Sequence, residues 1–370
     1  MLGAGDPMNT TLLQTEWETC LLEPGRDPAL EALARRAHGM QPPNLQYLVH
    51  CPWVGRADVQ LNYDNGLLVH LDFGLADAVA LVVSQENSCR FCFAVTHYLL
   101  RVQGLSEERI AALQAQLARG AAEPRTAAAV TFARRMSRSQ PLVGPADRQR
   151  LREAGFSALE LRELAYVVAF LSFANRITTI PAIPPYGMEQ LPDRWFFRLL
   201  RPLMARVVGK HRRRGESAPA PVARNGFHAD LLRAYGDSPI AGTLAAVLDE
   251  LWASPVLSRR CKALLFAVVA TGLSCPHSVE EARRVLRAEG LGDAAVAQAL
   301  THLHAPELDE VENLLLPFAR DTIWYQPAPV QRRARELCDR LSPAQFVEAL
   351  GVLSLANALC RLAPAVLEQA

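Results

Sequence analysis

The stretch ENSCRFCFAVTH, residues 86–97, sets two cysteines three positions apart, with Thr96 and His97 a turn further on. On a helix this spacing puts Cys89 and Cys92 on one face, close enough for their sulfurs to meet. A thiolate there can attack an oxidised substrate and become a sulfenic acid, which the second thiol resolves as a disulfide. Asn87 and Ser88 are good capping residues, so the spacing predicts a helix from there to about Gly104. Both cysteines then fall in the first turn. Free N–H groups and the helix dipole favour thiolate at that end, lowering the pKa from about 8.5 toward neutrality. At about 100° per residue, Thr96 shares the face of the two cysteines, while His97 is turned away from Cys92. Two acids lie nearby. Asp77 sits among Ala, Val and Leu, where a carboxylate is costly unless paired and where burial would raise its pKa into the range of a proton shuttle. Glu86, at the helix start, is either a relay acid or a solvated residue favoured by the dipole.

The remaining cysteines bound what the pair can be. The chain has eight, at 20, 51, 89, 92, 261, 275, 338 and 360, scattered except for this pair. That is no disulfide framework of a small secreted fold. A zinc site could use Cys89, Cys92 and His97, but a second Cys-x-x-Cys or a paired His motif is missing. No metal and no cofactor are therefore expected. Cys20, Cys51, Cys261, Cys338 and Cys360 are read as buried small apolar residues.

The elements that must position these residues are helical nearly throughout. Residues 106–120 have apolar positions at helical spacing, with Ser106 as N-cap and Gly120 as stop, and residues 158–177 form a long buried helix. No Asn-Gly or Asp-Gly turn separates alternating apolar runs, so hairpins are not expected. The fold class is all-α. A length of 370 residues suits two domains, half the residues are hydrophobic, and the net charge of +1 argues against a nucleic-acid partner. The N-terminus has acidic residues and no basic region before an apolar core, and the longest apolar runs, such as 263–273, fall short of a membrane span. The expectation is a cytoplasmic chain with reduced thiols and no membrane partner. The segment 193–208 is amphipathic and precedes a basic run at Lys210–Arg214, read as a packed helix with solvated charges.

An internal repeat organises the chain. A shift of 186 residues places Cys89 on Cys275, Arg101 on Arg287, Gly104-Leu105 on Gly290-Leu291 and Phe132-Ala133-Arg134 on Phe318-Ala319-Arg320. LSFAN at 171–175 matches LSLAN at 353–357 after a gap of four. The expected organisation is an N-terminal unit at 1–206, a basic and Pro/Ala-rich linker at 207–226, and a C-terminal unit at 227–370. The units differ where the chemistry would be. Cys92 becomes Ser278, Asp77 becomes Ala263 and His97 becomes Arg283. The first unit therefore reads as active. The second, with its resolving sulfur replaced despite His277 beside Cys275, reads as scaffold.

The first unit resembles the alkylhydroperoxidase D-like family within the carboxymuconolactone decarboxylase superfamily. The likeness rests on an acid at Asp77, eleven residues, then Cys89-Arg-Phe-Cys92 on a helical chain. It covers roughly residues 60–180 well and 250–365 more loosely. The resemblance implies an all-helical fold, with the two tandem units forming a pseudo-dimer, association into homo-oligomers, and peroxide reduction through the cysteine pair. It implies Cys92 as the attacking thiol, Cys89 as its resolving partner, and a proton relay through an acid and a histidine. Here the family's glutamate is Asp77, and its histidine position holds Thr96 with His97 one residue late. Threonine cannot act as a base near neutral pH. The expected partners are a small peroxide or disulfide substrate and a thiol reductant of unknown identity. Two other readings stand beside this one: a non-enzymatic duplicated scaffold that binds a ligand or partner, and a non-redox carboxymuconolactone decarboxylase-like enzyme, which would not need a dithiol.

Overall fold

The computed structural model describes residue 12 and residues 17–119, 123–138, 140–187, 195–216 and 226–367. Among them the protein is all-α, with eighteen helices and no strand. The site depends on α3 (Pro52–Gln60), α4 (Phe73–Glu86), α5 (Arg90–Val102), α9 (Ala158–Thr179) and α10 (Trp195–His211). They follow α1 (Pro28–His38) and α2 (Leu45–Leu48), with α6 (Glu107–Arg119), α7 (Pro124–Ser137) and α8 (Pro145–Glu153) in between. The rest of the chain adds α11 (Ala229–Tyr235), α12 (Pro239–Ala253), α13 (Arg259–Gly272), α14 (Pro276–Ala288), α15 (Asp293–His302), α16 (Glu310–Asp321), α17 (Pro327–Cys338) and α18 (Pro343–Val366).

Local chemistry fixes many of these bounds. Ser106 Oγ accepts the Arg109 N–H at the start of α6, as expected. Ser157 and Glu160 form a reciprocal capping box at the start of α9, and Ser342 with Gln345 does the same for α18. The stop expected at Gly120 lies outside the described residues. The offset read from sequence reappears in the helix bounds. Phe73–Glu86 and Arg259–Gly272 lie 186 residues apart, as do Arg90–Val102 and Pro276–Ala288.

The two longest helices, α9 and α18, pack against each other in the middle of one hydrophobic core drawn from both halves of the chain. Burial of their apolar surface is the main stabilising term. By length and composition α18 can cross a membrane, contrary to the expectation from uninterrupted apolar runs, but 94% of its most apolar window is buried inside the protein. It is the core helix of this fold. One buried cation of the core is paired with a carboxylate. Lys262 Nζ lies 3.3 Å from Glu348 Oε1, which also accepts the Trp53 indole N–H at 3.1 Å. Near the site, the Glu163 carboxylate of α9 accepts the N–H groups of Val69, His70 and Leu71, fixing the loop that leads into α4.

The basic run Lys210–Arg214 departs from its expected solvated character. Helix α10 continues through His211, after which Arg212 turns inward and Arg213 forms an isolated bridge with Asn65. Residues 217–225 of the expected linker lie outside the described residues. On α10, Met204, Ala205 and Val208 pack toward Tyr98 and Val102, while Leu199 and Leu203 face outward.

Candidate active site

The cysteine pair sits where α4 ends and α5 begins. From sequence the cap of α5 was expected at Asn87-Ser88; the structure gives that role to Cys89. Asn87 closes α4, its N–H bonded to the Val83 carbonyl, and Ser88 takes a left-handed conformation with φ of 50°. That turn lets the Cys89 N–H reach Ser84 O at 2.8 Å, and the Cys89 sulfur accepts the Cys92 N–H at 3.3 Å. Cys92 therefore lies in the first helical turn, as expected, while Cys89 is the capping residue. The second half of the chain braces the turn, since the Tyr325 hydroxyl donates to Asn87 O at 2.9 Å.

Thr178, near the C-terminal end of α9, joins the two sulfurs. Its Oγ1 lies 3.2 Å from Cys89 Sγ and 3.7 Å from Cys92 Sγ, and it also donates to Ala174 O at 2.8 Å. One hydroxyl carries one proton. That proton goes to Ala174 O when the thiols donate to Thr178, and to sulfur when a thiolate forms. Burial pushes the Cys89 thiol up, but hydrogen bonds from the Cys92, Thr178 and Thr179 side chains and the Cys92 N–H outweigh it and bring it down to about 7. The neighbouring Cys89 sulfur, and then burial, hold Cys92 well above the ordinary thiol range. Of the two sulfurs, Cys89 is therefore the one that ionises first.

A cavity of about 200 Å³ opens on Cys92. Phe91, Val95, Leu99, Phe170 and Leu171 give it an apolar wall, with Asp58, Thr96, Thr178 and Arg212 as polar points. Cys92 is 9% exposed and Cys89 fully buried, so Cys92 presents its sulfur to a ligand. Thr96 lines the same cavity. Three of the residues singled out from sequence, Cys89, Cys92 and Thr96, thus come together.

The other three do not face the cavity. Asp77 is buried, but its surroundings are not the apolar ones expected. Arg212 reaches it with two nitrogens, at 2.8 and 2.5 Å, and the Tyr63 hydroxyl donates to it at 3.0 Å. The Arg212 Nε also donates to Asp64 Oδ1 at 2.7 Å, so one cation serves two carboxylates. The physical reason is distance along the chain: Arg212 arrives from 135 residues downstream. His97 turns to Glu107, with Nε2 at 3.1 Å from Oε1. Glu86 pairs with Arg134 at 3.1 Å.

Two residues at the cavity escaped sequence reasoning. Thr178 is one hydroxyl in a buried helix, a pattern with no local signal. Asp58, on α3 between Ala57 and Val59, had the same signal as Asp77, an acid in an apolar helix face. Burial pushes its carboxyl up to about 6 against the donated Asn44 amide at 2.8 Å, and its charge is felt at Cys92. Asp64 is likewise pushed up to about 6, by burial first, with Arg212 opposing. Among the described residues no group of three His, Cys, Asp or Glu side chains is placed to hold a metal ion. Of the other cysteines, Cys51, Cys261, Cys275 and Cys360 are buried, and Cys20 and Cys338 are partly exposed.

A cysteine pair at a helix start, on an all-helical scaffold, beside a small apolar cavity defines a thiol site. Residues 58–135, which hold Asp58, Asp77, Cys89, Cys92 and Thr96, match the carboxymuconolactone decarboxylase family model. That family includes alkylhydroperoxidase-like members. No curated protein and no solved structure matches the chain.

Proposed function

We propose that the protein is a dithiol peroxidase that reduces hydroperoxides through Cys92 and Cys89. The observation that carries this reading is the shared contact of both sulfurs with Thr178, one of them open to a cavity. Cys89 thiolate takes the Cys92 proton, which moves the negative charge to the exposed sulfur. Cys92 then attacks the distal peroxide oxygen. The S–O bond forms, the O–O bond breaks, and the leaving alkoxide takes a proton from Asp58. The Cys89 sulfur next displaces the oxygen of Cys92 sulfenic acid, forming the disulfide. The hydroxide leaves as water with the Cys89 proton. An external dithiol returns both cysteines to the reduced state. Asp58 takes the place of the absent histidine as the group that moves protons, because its carboxyl is held near neutrality and lines the cavity. Arg212 and Asp77 are positioning residues, locking α4 to the end of α10. Reduced thiols of this kind belong to a reducing compartment, and we place the protein in the cytoplasm.

We read the helices of the second half, spaced 186 residues from those of the first, as a second copy packed on the first as a pseudo-dimer. The test of the activity is peroxide consumption driven by a dithiol reductant, with peptide mapping of the oxidised protein. Turnover that is lost in Cys92→Ser, together with a Cys89–Cys92 disulfide within one chain, is the expected result. Free thiols after peroxide treatment of the folded protein would exclude it.

A further inference from the structure

The second half of the chain holds a thiol pair of its own, built differently. Cys275 occupies the N-cap position of α14 as Cys89 does that of α5, although its sulfur makes no capping hydrogen bond. Its N–H reaches Ala270 O at 2.9 Å, and Ser274 before it is left-handed with φ of 56°. These features repeat those of Cys89, Ser84 and Ser88 at the same offset. In place of Cys92 stands Ser278, whose hydroxyl accepts the Cys275 S–H at 3.4 Å. The sulfur missing there reappears on the facing helix. The shift that aligns LSFAN with LSLAN carries Thr178 onto Cys360 of α18, which packs against α14, so Cys360 stands toward Cys275 as Thr178 stands toward Cys89 at 3.2 Å. The helix that offers the first pair a hydroxyl offers Cys275 a thiol.

The next residue, Arg361, is buried beside Cys360, and its hydrogen bonds go to the neutral Asn357 and Ile323. Burial first, and then Arg176, push the Arg361 guanidinium down, while burial and the Cys275 sulfur hold Cys360 well above the ordinary thiol range, with Arg361 opposing only weakly. The Cys360 thiol, together with Ser278, brings Cys275 down to about 7 against the opposing effect of burial. Cys275, only 1% exposed, borders a groove lined also by Ser274, Val279, Arg283 and Thr301.

We infer that Cys275 and Cys360 form a second redox-active dithiol, which a hydroperoxide oxidises to a disulfide between α14 and α18. Cys275 thiolate attacks hydrogen peroxide, an S–O bond replaces the O–O bond, and the first water leaves after taking a proton from solvent. The Cys360 sulfur then displaces the sulfenic oxygen, forming the S–S bond and a second water that carries the Cys360 proton. A dithiol reductant reverses the link. On this reading the second unit keeps two sulfurs: the one absent from the i+3 position, where Ser278 stands, is matched by Cys360 on the facing helix.

The test uses full-length protein with Cys89→Ser and Cys92→Ser, treated with hydrogen peroxide, alkylated and mapped. Two of its six remaining thiols should vanish, with a Cys275–Cys360 linked peptide that dithiothreitol reverses. Adding Cys360→Thr, which restores the arrangement of the first unit, should abolish the link and drive Cys275 to sulfinic acid. Cys275 and Cys360 both alkylated after peroxide, or equal sulfinic acid with and without Cys360, would overturn the inference. The same mapping on the unsubstituted chain covers a variant that fails to fold, because the 275–360 and 89–92 links appear in different peptides. Failure of one pair is thus read separately from failure of the other.

Discussion

Replacing Thr178 by valine removes one hydroxyl and nearly preserves the shape of the side chain. The oxygen lost is the one 3.2 Å from Cys89 Sγ and 3.7 Å from Cys92 Sγ. A hydrogen bond to an ionised group is worth about 1.5–3 kcal/mol. Since one pKa unit corresponds to about 1.4 kcal/mol, the Cys89 midpoint should climb by about one to two units from its present value of about 7. At pH 7 the thiolate fraction falls from about half to between roughly a tenth and a hundredth. Thiolate ultraviolet absorbance, followed from about pH 5 to 10, reads this directly and does not require a reagent to reach buried sulfur. The difference between variant and parent titrations cancels the other cysteines. Peroxidase turnover should drop by about fivefold to fiftyfold at neutral pH and recover as the pH passes the new midpoint. The backbone of α9 loses only a side-chain bond to Ala174 O, so the fold should survive. An unmoved midpoint, or one that shifts downward, would refute the assignment of Thr178 as the group that sets thiol acidity.

Asp58→Asn separates stability from activity. Burial lifts this carboxyl from 3.8 to about 6, so its ionised form destabilises the fold by up to about 3 kcal/mol above pH 6 and by nothing below its unfolded-state pKa. The variant should therefore melt higher than the parent at pH 7, match it at acid pH, and turn over about a hundredfold more slowly; equal turnover would remove Asp58 from the relay. Arg212→Met leaves two partly or fully buried carboxylates, Asp64 and Asp77, without their cation, and should lower stability by about 3–5 kcal/mol in chemical denaturation. A loss below about 1 kcal/mol would mean the ion pairs are incidental. His97→Ala removes a buried ring that packs on Phe93 and contacts the exposed Glu107, so stability should fall by about 0.5–3 kcal/mol while turnover of the folded protein hardly changes. A large activity loss there would restore histidine to the site.

What was legible in the sequence is what the chain encodes locally. The capping serine at 106, glycine with positive φ at 104, and apolar spacing gave the helices and the shared face of Cys89, Cys92 and Thr96. What was hidden is contributed across space. Thr178 lies 86 residues beyond Cys92, and Arg212 lies 135 beyond Asp77. Each is an ordinary member of its own segment, one a hydroxyl in a buried helix and the other a cation in a basic run. Asp77 therefore read as an unpaired acid with a shuttle's pKa, when its partner was simply remote. Both residues also fall outside 58–135, the segment that matches the family model. That segment alone would keep the two cysteines and Asp58, yet lose the hydroxyl shared by the sulfurs and the cation holding α4 in place. The segment that matches the family model thus holds both cysteines, while Thr178 and Arg212 come from outside it. On that division, Thr96 in place of the family's histidine disables the site only if Thr178 and Asp58 fail to hold and move the proton between them.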